Sequence, residues 1–174
     1  MTIENSVSKD IDEIFRLYLI ATDFQRSKGL VTWPEFDRKM VSDEIDQDRQ
    51  WKILVNGKIA CVWASAFEDP IIWGEKNGQP SLYLHRIATN PEFRGMHMVK
   101  RILEWASIHA QLHGKSFIRM DTVGENKKLI AYYQSCGFNF LGLKQLKNTE
   151  SLPAHYHNAV VSLFEIELPA PTNF

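Results

Sequence analysis

The sequence has little cysteine, the residue that forms disulfides and most structural zinc sites. Only two of its 174 residues are cysteines, Cys61 and Cys136, and neither lies in a CxxC pair. Two isolated cysteines are too few for a disulfide framework or a structural zinc site, and reduced thiols in a cytosolic protein are the simplest interpretation. The chain is long enough to bury one core without metal or disulfide support.

The sequence also lacks an excess of charge of one sign. Its 20 basic and 21 acidic residues leave a net charge of −1. The overall charge therefore does not attract nucleic acids or acidic membranes. Because no run of basic and aromatic residues is present either, a nucleic-acid-binding α/β domain is a disfavoured interpretation, and we expect no nucleic-acid partner.

Long hydrophobic runs and targeting signals are absent as well. Met1 is followed by Thr-Ile-Glu-Asn, which is unlike the basic and then apolar start of a signal peptide. The longest apolar runs are far shorter than the ~20 residues that span a membrane. The hydrophobic share of 44% and the charged share of 24% are ordinary for a soluble globular protein. We therefore expect a cytoplasmic protein with no membrane partner.

What is present is a regular alternation of strand and helix patterns. Asn56-Gly57 between two β-branched runs is a strong hairpin signal, and Gly29, Gly114 and Gly137 mark helix ends. Apolar residues at helical spacing predict a first helix after Ser8 or Asp10, with Asp10 and Glu13 as a capping box. The other predicted helices are Pro34–Ile45, Met96–His113 and Asn126–Cys136, and the predicted strands are Met1–Ser6, Trp51–Val55, Lys58–Ala64, Ser81–Thr89, Ser116–Thr122, Phe138–Leu146 and Ala159–Leu168.

The order of these elements predicts one α/β domain over residues 1–174 with a mixed sheet. Residues 68–80 contain Pro, Gly and Asn and are predicted to form a loop with an apolar patch at Ile71, Ile72 and Trp73. Residues 169–174 are predicted to be a loose tail. No repeat, linker or low-complexity segment divides the chain.

The connection between strand Ser81–Thr89 and the next helix carries the clearest functional signal. The N-terminus of a helix offers unpaired backbone N–H groups and a partial positive charge, which together bind phosphate. Such loops are usually rich in glycine, whereas this one has a single glycine. The candidate phosphate-binding residues are Arg94, Gly95, Met96, His97, Met98 and Val99. The alternative is an ordinary strand–helix connection with Arg94 in solvent.

Three runs of the sequence carry a resemblance to a known family. They are "YLHRIATNPEFRG", "FIRMDTVGENKKLIAYYQSCGF", and "WPEF" together with Trp73. On these runs the chain resembles the GNAT superfamily of acyl-CoA-dependent N-acyltransferases over roughly Ile3 to Leu168. The resemblance implies a single domain with a mixed, mostly antiparallel central sheet, helices on both faces, and strands four and five splayed apart.

The resemblance also implies an activity and a co-substrate. Members transfer an acetyl group from acetyl-CoA to a primary amine, which attacks the thioester directly. The backbone N–H groups of Ile87, Ala88 and Thr89 would hold the pantetheine arm and polarise the thioester carbonyl. Asn126 would hydrogen-bond the cofactor arm, and its alternative role is a helix N-cap.

Two residues match positions where the family moves protons. Tyr133 occupies the position of the general acid, which would protonate the departing thiolate. Its alternative role is packing. His85 lies in the strand that lines the active site and is a candidate base, because its ordinary pKa of about 6.5 suits proton acceptance at neutral pH. Its alternative role is a hydrogen-bonded histidine within the sheet.

The sequence departs from the family in the phosphate loop. The family pattern is Arg/Gln-x-x-Gly-x-Gly/Ala, and His97 and Val99 replace its two glycines. The departure leaves a second interpretation open, in which a degenerate loop belongs to a catalytically impaired CoA-binding or interaction module.

The acceptor cannot be identified from the sequence. The first two helices and the 68–80 loop are expected to bind it, and it would be a small-molecule or peptide amine. Side chains available there are Asp23, Gln25, Arg26, Trp33, Glu35, Trp73 and Glu75. The spacing of Asp121, His155 and His157 matches no metal-ligand pattern, so we expect no metal. The resemblance admits a homodimer without requiring one.

Overall fold

The computed structural model of the chain describes residues 1–170, and most of the predicted tail lies outside that range. The strands are β1 (Thr2–Asn5), β2 (Gln50–Val55), β3 (Lys58–Ala66), β4 (Ser81–Thr89), β5 (Phe117–Val123), β6 (Asn139–Gln145) and β7 (Val160–Glu167). The helices are α1 (Ile11–Ser27), α2 (Arg38–Asp46), α3 (Pro70–Trp73), α4 (Met98–Leu112) and α5 (Lys127–Cys136).

The seven strands form one mixed sheet in the order β1-β2-β3-β4-β5-β7-β6. The β4–β5 pair is parallel, whereas β1–β2, β2–β3, β5–β7 and β6–β7 are antiparallel. The predicted α/β fold with a mostly antiparallel sheet is therefore confirmed. The chain divides into two compact units. The first contains Met1–Ser65 and His85–Met98, and the second contains Ala66–Leu84 and the chain from Val99 onward.

The core of the first unit lies under α1 and α2. Residues at helical spacing on α1, including Ile14 and Tyr18, pack with Val41 of α2 against Val62 of β3. The β2–β3 hairpin turns at Asn56 and Gly57, whose φ angles are 51° and 77°, as a type I′ turn requires. The hairpin and the Gly29 helix end, at φ 65°, confirm the predictions from sequence.

The second unit has helices on both faces of its strands. Leu163 and Phe164 are consecutive residues of β7 and therefore point to opposite faces. Leu163 lies in a buried cluster with Ile72 and Trp73 of α3. The Phe164 ring lies 5.2 Å from the ring of Tyr133 on α5. Helices α3 and α5 thus cover opposite faces.

A fully buried arginine organises the segment that precedes β4. Arg119 of β5 is 0% exposed and pairs with Glu165 of β7 at 2.7 Å. It also donates to the Lys76 carbonyl oxygen at 2.6 Å and to Ser81 Oγ at 2.8 Å, and its guanidinium lies over the Trp73 ring. These contacts satisfy the buried charge and fix the 3₁₀ turn Gly74–Gly78.

The structure corrects several predicted boundaries. Residues 68–80 are not only a loop, because Pro70–Trp73 and Gly74–Gly78 form short helices. Helix α2 begins at Arg38 rather than Pro34, since the Asp37 carboxylate caps it by accepting from the Lys39 N–H at 2.9 Å.

The capping box predicted at the start of α1 is wrong. Asp10 makes no side-chain cap hydrogen bond to α1. Its Oδ2 atom instead accepts from the Val7 N–H at 2.8 Å and from Lys52 Nζ at 2.6 Å. The buried Lys52 ammonium thus draws the carboxylate away from the helix.

Both cysteines are free thiols, as the composition predicts. Burial raises the pKa of Cys61 to about 12, so this thiol is unreactive near neutral pH. In the part of the chain that the structure describes, none of the helices combines the length and apolarity needed to cross a bilayer.

Candidate active site

Strand β4 is irregular within the candidate site. Its parallel pairing with β5 covers Ser81–Leu84, while β5 continues to Val123 in register with β7. Two residues after Leu84, the φ angle of Arg86 is 51°, in the left-handed region that non-glycine residues rarely adopt. β4 is therefore not a regular strand at this point, and the deviation is held by the Arg86 side chain.

Arg86 lies in a buried network of the first unit. Its guanidinium forms an ion pair with Glu44 of α2, and its Nε donates to the Tyr18 hydroxyl of α1 at 3.3 Å. Side-chain exposure is 13% for Arg86 and 8% for Glu44. The guanidinium also lies over the Phe36 ring at 5.4 Å. A buried pair of this kind fixes geometry because neither charge can be left without the other.

His85, the candidate base, precedes this arginine. Burial, together with the charges of Arg86 and Arg49, lowers the pKa of His85 to about 3. The imidazole is therefore neutral at pH 7. It can accept a hydrogen bond, but it is a much weaker base than an ordinary histidine.

The residues predicted to hold pantetheine, Ile87, Ala88 and Thr89, are the last three residues of β4. Ala88 is buried in the cluster of α1 and α2, and the Thr89 hydroxyl lies 3.4 Å from Cys61 Sγ. Ile87 lies between Arg86 and Ala88 and is partly buried. These contacts hold the backbone of all three residues against the core of the first unit.

The predicted phosphate loop is anchored at its start by Asn90. The Asn90 side chain accepts from the Glu92 N–H at 3.1 Å and donates to the Ile59 carbonyl oxygen at 3.1 Å. A 3₁₀ turn at Pro91–Phe93 follows, and then two residues with positive φ angles, Gly95 at 84° and His97 at 55°.

Helix α4 begins at Met98, two residues later than predicted, because the left-handed conformation of His97 is incompatible with a helix. Residues 94–97 are exposed, whereas Met98 and Val99 are 3% and 6% exposed. Val99 therefore packs into the core and takes no space from a ligand. The exposed Arg94 guanidinium lies over the Phe24 ring of α1 at 5.3 Å.

His97 thus occupies one of the two glycine positions of the family pattern with a glycine-like backbone. Histidine tolerates this region better than bulky residues do. Within the loop, the Arg94 and Met96 N–H groups donate to the Pro91 and Phe93 carbonyl oxygens, both at 3.3 Å. The side chain of His97 is exposed.

The second unit contains the other two predicted site residues. Tyr133 of α5 is 8% exposed, and its ring packs edge-on against Phe138 and at 5.2 Å from Phe164. The Asn126 side chain caps α5 by accepting from the Leu129 N–H at 3.2 Å. The alternative roles considered from sequence, packing for Tyr133 and N-capping for Asn126, are therefore both observed.

The second unit also contains a carboxyl pair that sequence reasoning missed. Oxygen atoms of Asp69 and Asp121 lie within 4.8 Å of each other. Burial raises the pKa of Asp121 to about 7, the charge of Asp69 adds to the effect, and a hydrogen bond from Tyr156 opposes it. Burial raises the pKa of Asp69 to about 6. The available signal was an aspartate inside the apolar strand "FIRMDTV".

The residues predicted to bind the acceptor differ in their placement. Trp33 packs against Tyr18 and Phe36 in the first unit, and Gln25 Oε1 accepts from its N–H. Asp23 and Arg26 form an exposed ion pair with each other. Trp73 of the second unit is 2% exposed, and Glu75 is exposed.

Comparison with known proteins gives consistent matches. A model of the acetyltransferase (GNAT) family matches residues 12–138, well over half of the chain. An uncharacterized N-acetyltransferase of Bacillus subtilis (strain 168), YesJ, is 26% identical over 145 residues, which cover 79% of this chain and 81% of that protein.

Two solved structures share the fold. A GNAT-family acetyltransferase from Listeria monocytogenes 4b F2365 superposes with a TM-score of 0.75 and 21% identity, covering 96% of this chain and 94% of that one. The ribosomal-protein-S18-alanine N-acetyltransferase from Escherichia coli has a TM-score of 0.67 and 15% identity, covering 99% of this chain and 97% of that one.

Replacing Glu44 with alanine should destabilise the protein strongly, because it leaves the buried Arg86 guanidinium without its carboxylate. We expect a loss of about 3–5 kcal/mol in the free energy of unfolding, measured by urea denaturation. Asp12→Ala, which removes the partner of Arg38 from an exposed ion pair, is the control and should cost at most about 1 kcal/mol. Equal losses in the two variants would contradict the role given to Glu44.

The left-handed backbone conformation of His97 should make glycine more stabilising than alanine at this position. Alanine pays about 1–2 kcal/mol in this conformation and glycine does not, whereas glycine loses about 0.5–1 kcal/mol more chain entropy on folding. His97→Gly should therefore unfold at a higher urea concentration than His97→Ala. At Met96, which is exposed and lacks a positive φ angle, the order should reverse. The same order at both positions would show that the loop has another shape.

Proposed function

The chain belongs to the acetyltransferase (GNAT) family, and we propose that it transfers an acetyl group from acetyl-CoA to a primary amine of a small molecule or peptide by direct attack of the amine. The observation that carries the proposal is the loop at Arg94–Met98, which keeps glycine-like φ angles at Gly95 and His97 and leads directly into α4. Backbone N–H groups at such a helix start suit a pyrophosphate.

The loop also argues against the impaired alternative. That alternative depends on His97 and Val99 obstructing the phosphate. Val99 is buried in the core, and His97 adopts the backbone conformation for which the family uses glycine. The imidazole of His97 and the guanidinium of Arg94 would add donors for phosphate oxygens.

We propose that the residues matching the family's cofactor positions hold the pantetheine arm. The backbone N–H groups of Ile87, Ala88 and Thr89 would hydrogen-bond the arm and polarise the thioester carbonyl as negative charge develops on its oxygen. Asn126 would add a hydrogen bond from its amide nitrogen, because its Oδ1 atom is used by the helix cap.

Tyr133 is the proposed general acid. A phenol can protonate the thiolate of CoA as the carbon–sulfur bond breaks. The ring is held by Phe138 and Phe164, so its hydroxyl is presented from a fixed position on α5. Positioning of this kind accounts for much of the benefit of an enzymatic acid.

His85 is proposed to accept a hydrogen bond from the amine, rather than to act as the strong base that its ordinary pKa indicates. With a pKa of about 3, its neutral imidazole can accept a hydrogen bond from the amine and orient the lone pair. It would hold the proton only briefly. The cytoplasmic location and a homodimer stay predictions.

The proposal is tested by incubating the protein with acetyl-CoA and a panel of primary amines and following CoA release with a thiol reagent and acetylated products by mass spectrometry. Amine-dependent release with a matching acetylated product supports it. Binding of acetyl-CoA without release for any amine would support the impaired module instead.

Tyr133→Phe should lower kcat by about 100-fold or more, because the leaving thiolate loses its proton donor. The affinity for acetyl-CoA, measured by calorimetry, should stay close to that of the unchanged protein. Tyr132→Phe is a matched control, because Tyr132 is adjacent to Tyr133 in the sequence and is 41% exposed. This variant should leave kcat nearly unchanged. A loss of acetyl-CoA affinity with unchanged turnover of the bound complex would show that Tyr133 only packs.

A further inference from the structure

The C-terminal end of α4 carries a pair of histidines that has no role in the proposed function. His109 lies in the last turn of the helix and His113 directly follows it. Residues four apart lie on the same face of a helix. The two ring centroids are 4.3 Å apart, with an angle of 41° between the ring planes. His109 is half-buried and His113 is exposed, so the second unit brings two imidazole rings together at its surface.

The His113 side chain is held in one orientation by its neighbour. Its Nδ1 atom lies 2.8 Å from the carbonyl oxygen of His109. A carbonyl oxygen only accepts hydrogen bonds, so Nδ1 carries the hydrogen and donates it. In the neutral ring the lone pair then belongs to Nε2. Metal-binding histidines are commonly oriented in this way, with one ring nitrogen donating to a backbone carbonyl group while the other binds the cation.

The backbone around His113 is fixed as well. The His113 N–H donates to the Ala110 carbonyl oxygen at 3.1 Å, and the Lys115 N–H donates to the same oxygen at 2.8 Å. Gly114 lies between them with a φ angle of 63°, which ends the helix. The two rings are therefore brought together by the fold itself, and ordering them around a shared ligand costs little conformational entropy.

Aromatic rings pack against the pair. Trp105, one turn before His109, stacks on it with centroids 4.7 Å apart and an angle of 19° between the planes. The Phe67 ring lies 6.0 Å from His109 and 5.0 Å from His113. Lys115 Nζ lies 4.5 Å from the centroid of Phe67. Its charge disfavours a further ammonium group in this cluster, whereas a metal ion gains coordinate bonds that offset the repulsion.

The donor atoms select the class of cation. Imidazole nitrogens are good ligands for zinc, copper and nickel ions, whereas Mg²⁺ and Ca²⁺ prefer oxygen. Burial and the charge of His113 lower the pKa of His109. The His109 imidazole is therefore neutral at pH 7, which is the form that ligates a metal. With two protein ligands, water completes the coordination.

We propose that His109 and His113 bind one divalent transition-metal ion of the zinc, copper and nickel class. His113 ligates through Nε2, and His109 contributes a ring nitrogen. The metal joins the last turn of α4 to the residue that follows it, and so stabilises the end of this helix. The site is independent of the proposed acetyl transfer. The expectation of no metal concerns a different set of side chains, Asp121, His155 and His157.

Binding is tested by calorimetric titration of zinc chloride into the protein and by nuclear magnetic resonance of the histidine ring nitrogens. One equivalent of zinc should bind and shift the ring nitrogens of His109 and His113. His157, whose Nε2 also lies near a carbonyl oxygen, that of Leu152 at 2.9 Å, is the internal control and should not shift. Zinc that leaves the His109 and His113 rings unchanged, or magnesium chloride that shifts them at the same concentration, would overturn the proposal.

A variant with the same histidine count and a different spacing is the sharpest control. His109→Gln combined with Gln111→His keeps six histidines, but two of them are now two residues apart and do not face each other. This double variant and, separately, His113→Gln should bind zinc at least about 10-fold more weakly than the unchanged protein. Unchanged affinity in either variant would place the metal elsewhere and contradict the assignment.

The stability of the protein gives an independent readout. A ligand that binds the folded protein and not the unfolded chain raises the urea concentration at which the protein unfolds. Zinc chloride should therefore raise the urea midpoint of the unchanged protein and have nearly no effect on His113→Gln. Comparing each protein with and without zinc removes any effect of the substitution on folding. An equal increase in both proteins would show that zinc acts at another site.

Discussion

The buried ion pair between Arg86 and Glu44 is the interaction on which the candidate site of the first unit depends. It joins β4 to α2, and the Tyr18 hydroxyl adds α1 to the same network. The contacts compensate the strain of a non-glycine residue at φ 51°, which would otherwise relax toward a regular strand. Ile87–Thr89, the residues predicted to hold pantetheine, follow this contact directly in β4.

Burial acts in opposite directions on the titratable groups of the two units. It lowers the pKa of the His85 imidazole to about 3, and it raises the pKa of the Asp121 carboxyl to about 7. The same physical cause, removal from water, disfavours the charged form of each group. His85, the candidate base from its ordinary pKa, is thus a weak base in the folded protein. The pKa of the Asp121 carboxyl, in contrast, lies near neutral pH.

The sequence predicts the fold well because local signals agree with the tertiary structure. The Asn56-Gly57 hairpin, the helix stops at Gly29 and Gly137, and strand β4 all lie where their patterns place them. It predicts less of the site, because the pKa of a side chain depends on neighbours that are distant in sequence. Asp69 and Asp121 are 52 positions apart by number, and nothing local indicates that their carboxyl groups meet. The left-handed backbone conformation of His97 could not be predicted either, because histidine as a residue type does not indicate a positive φ angle.

The proposed function requires that a loop with one glycine instead of several binds pyrophosphate. Calorimetric titration of acetyl-CoA, compared with S-acetylpantetheine, which lacks the pyrophosphate, tests this most directly. We predict a dissociation constant on the order of micromolar for acetyl-CoA and binding at least about 100-fold weaker for S-acetylpantetheine, a difference of ~3 kcal/mol. Equal affinity for the two compounds, or no binding of acetyl-CoA at millimolar concentration, would contradict the account.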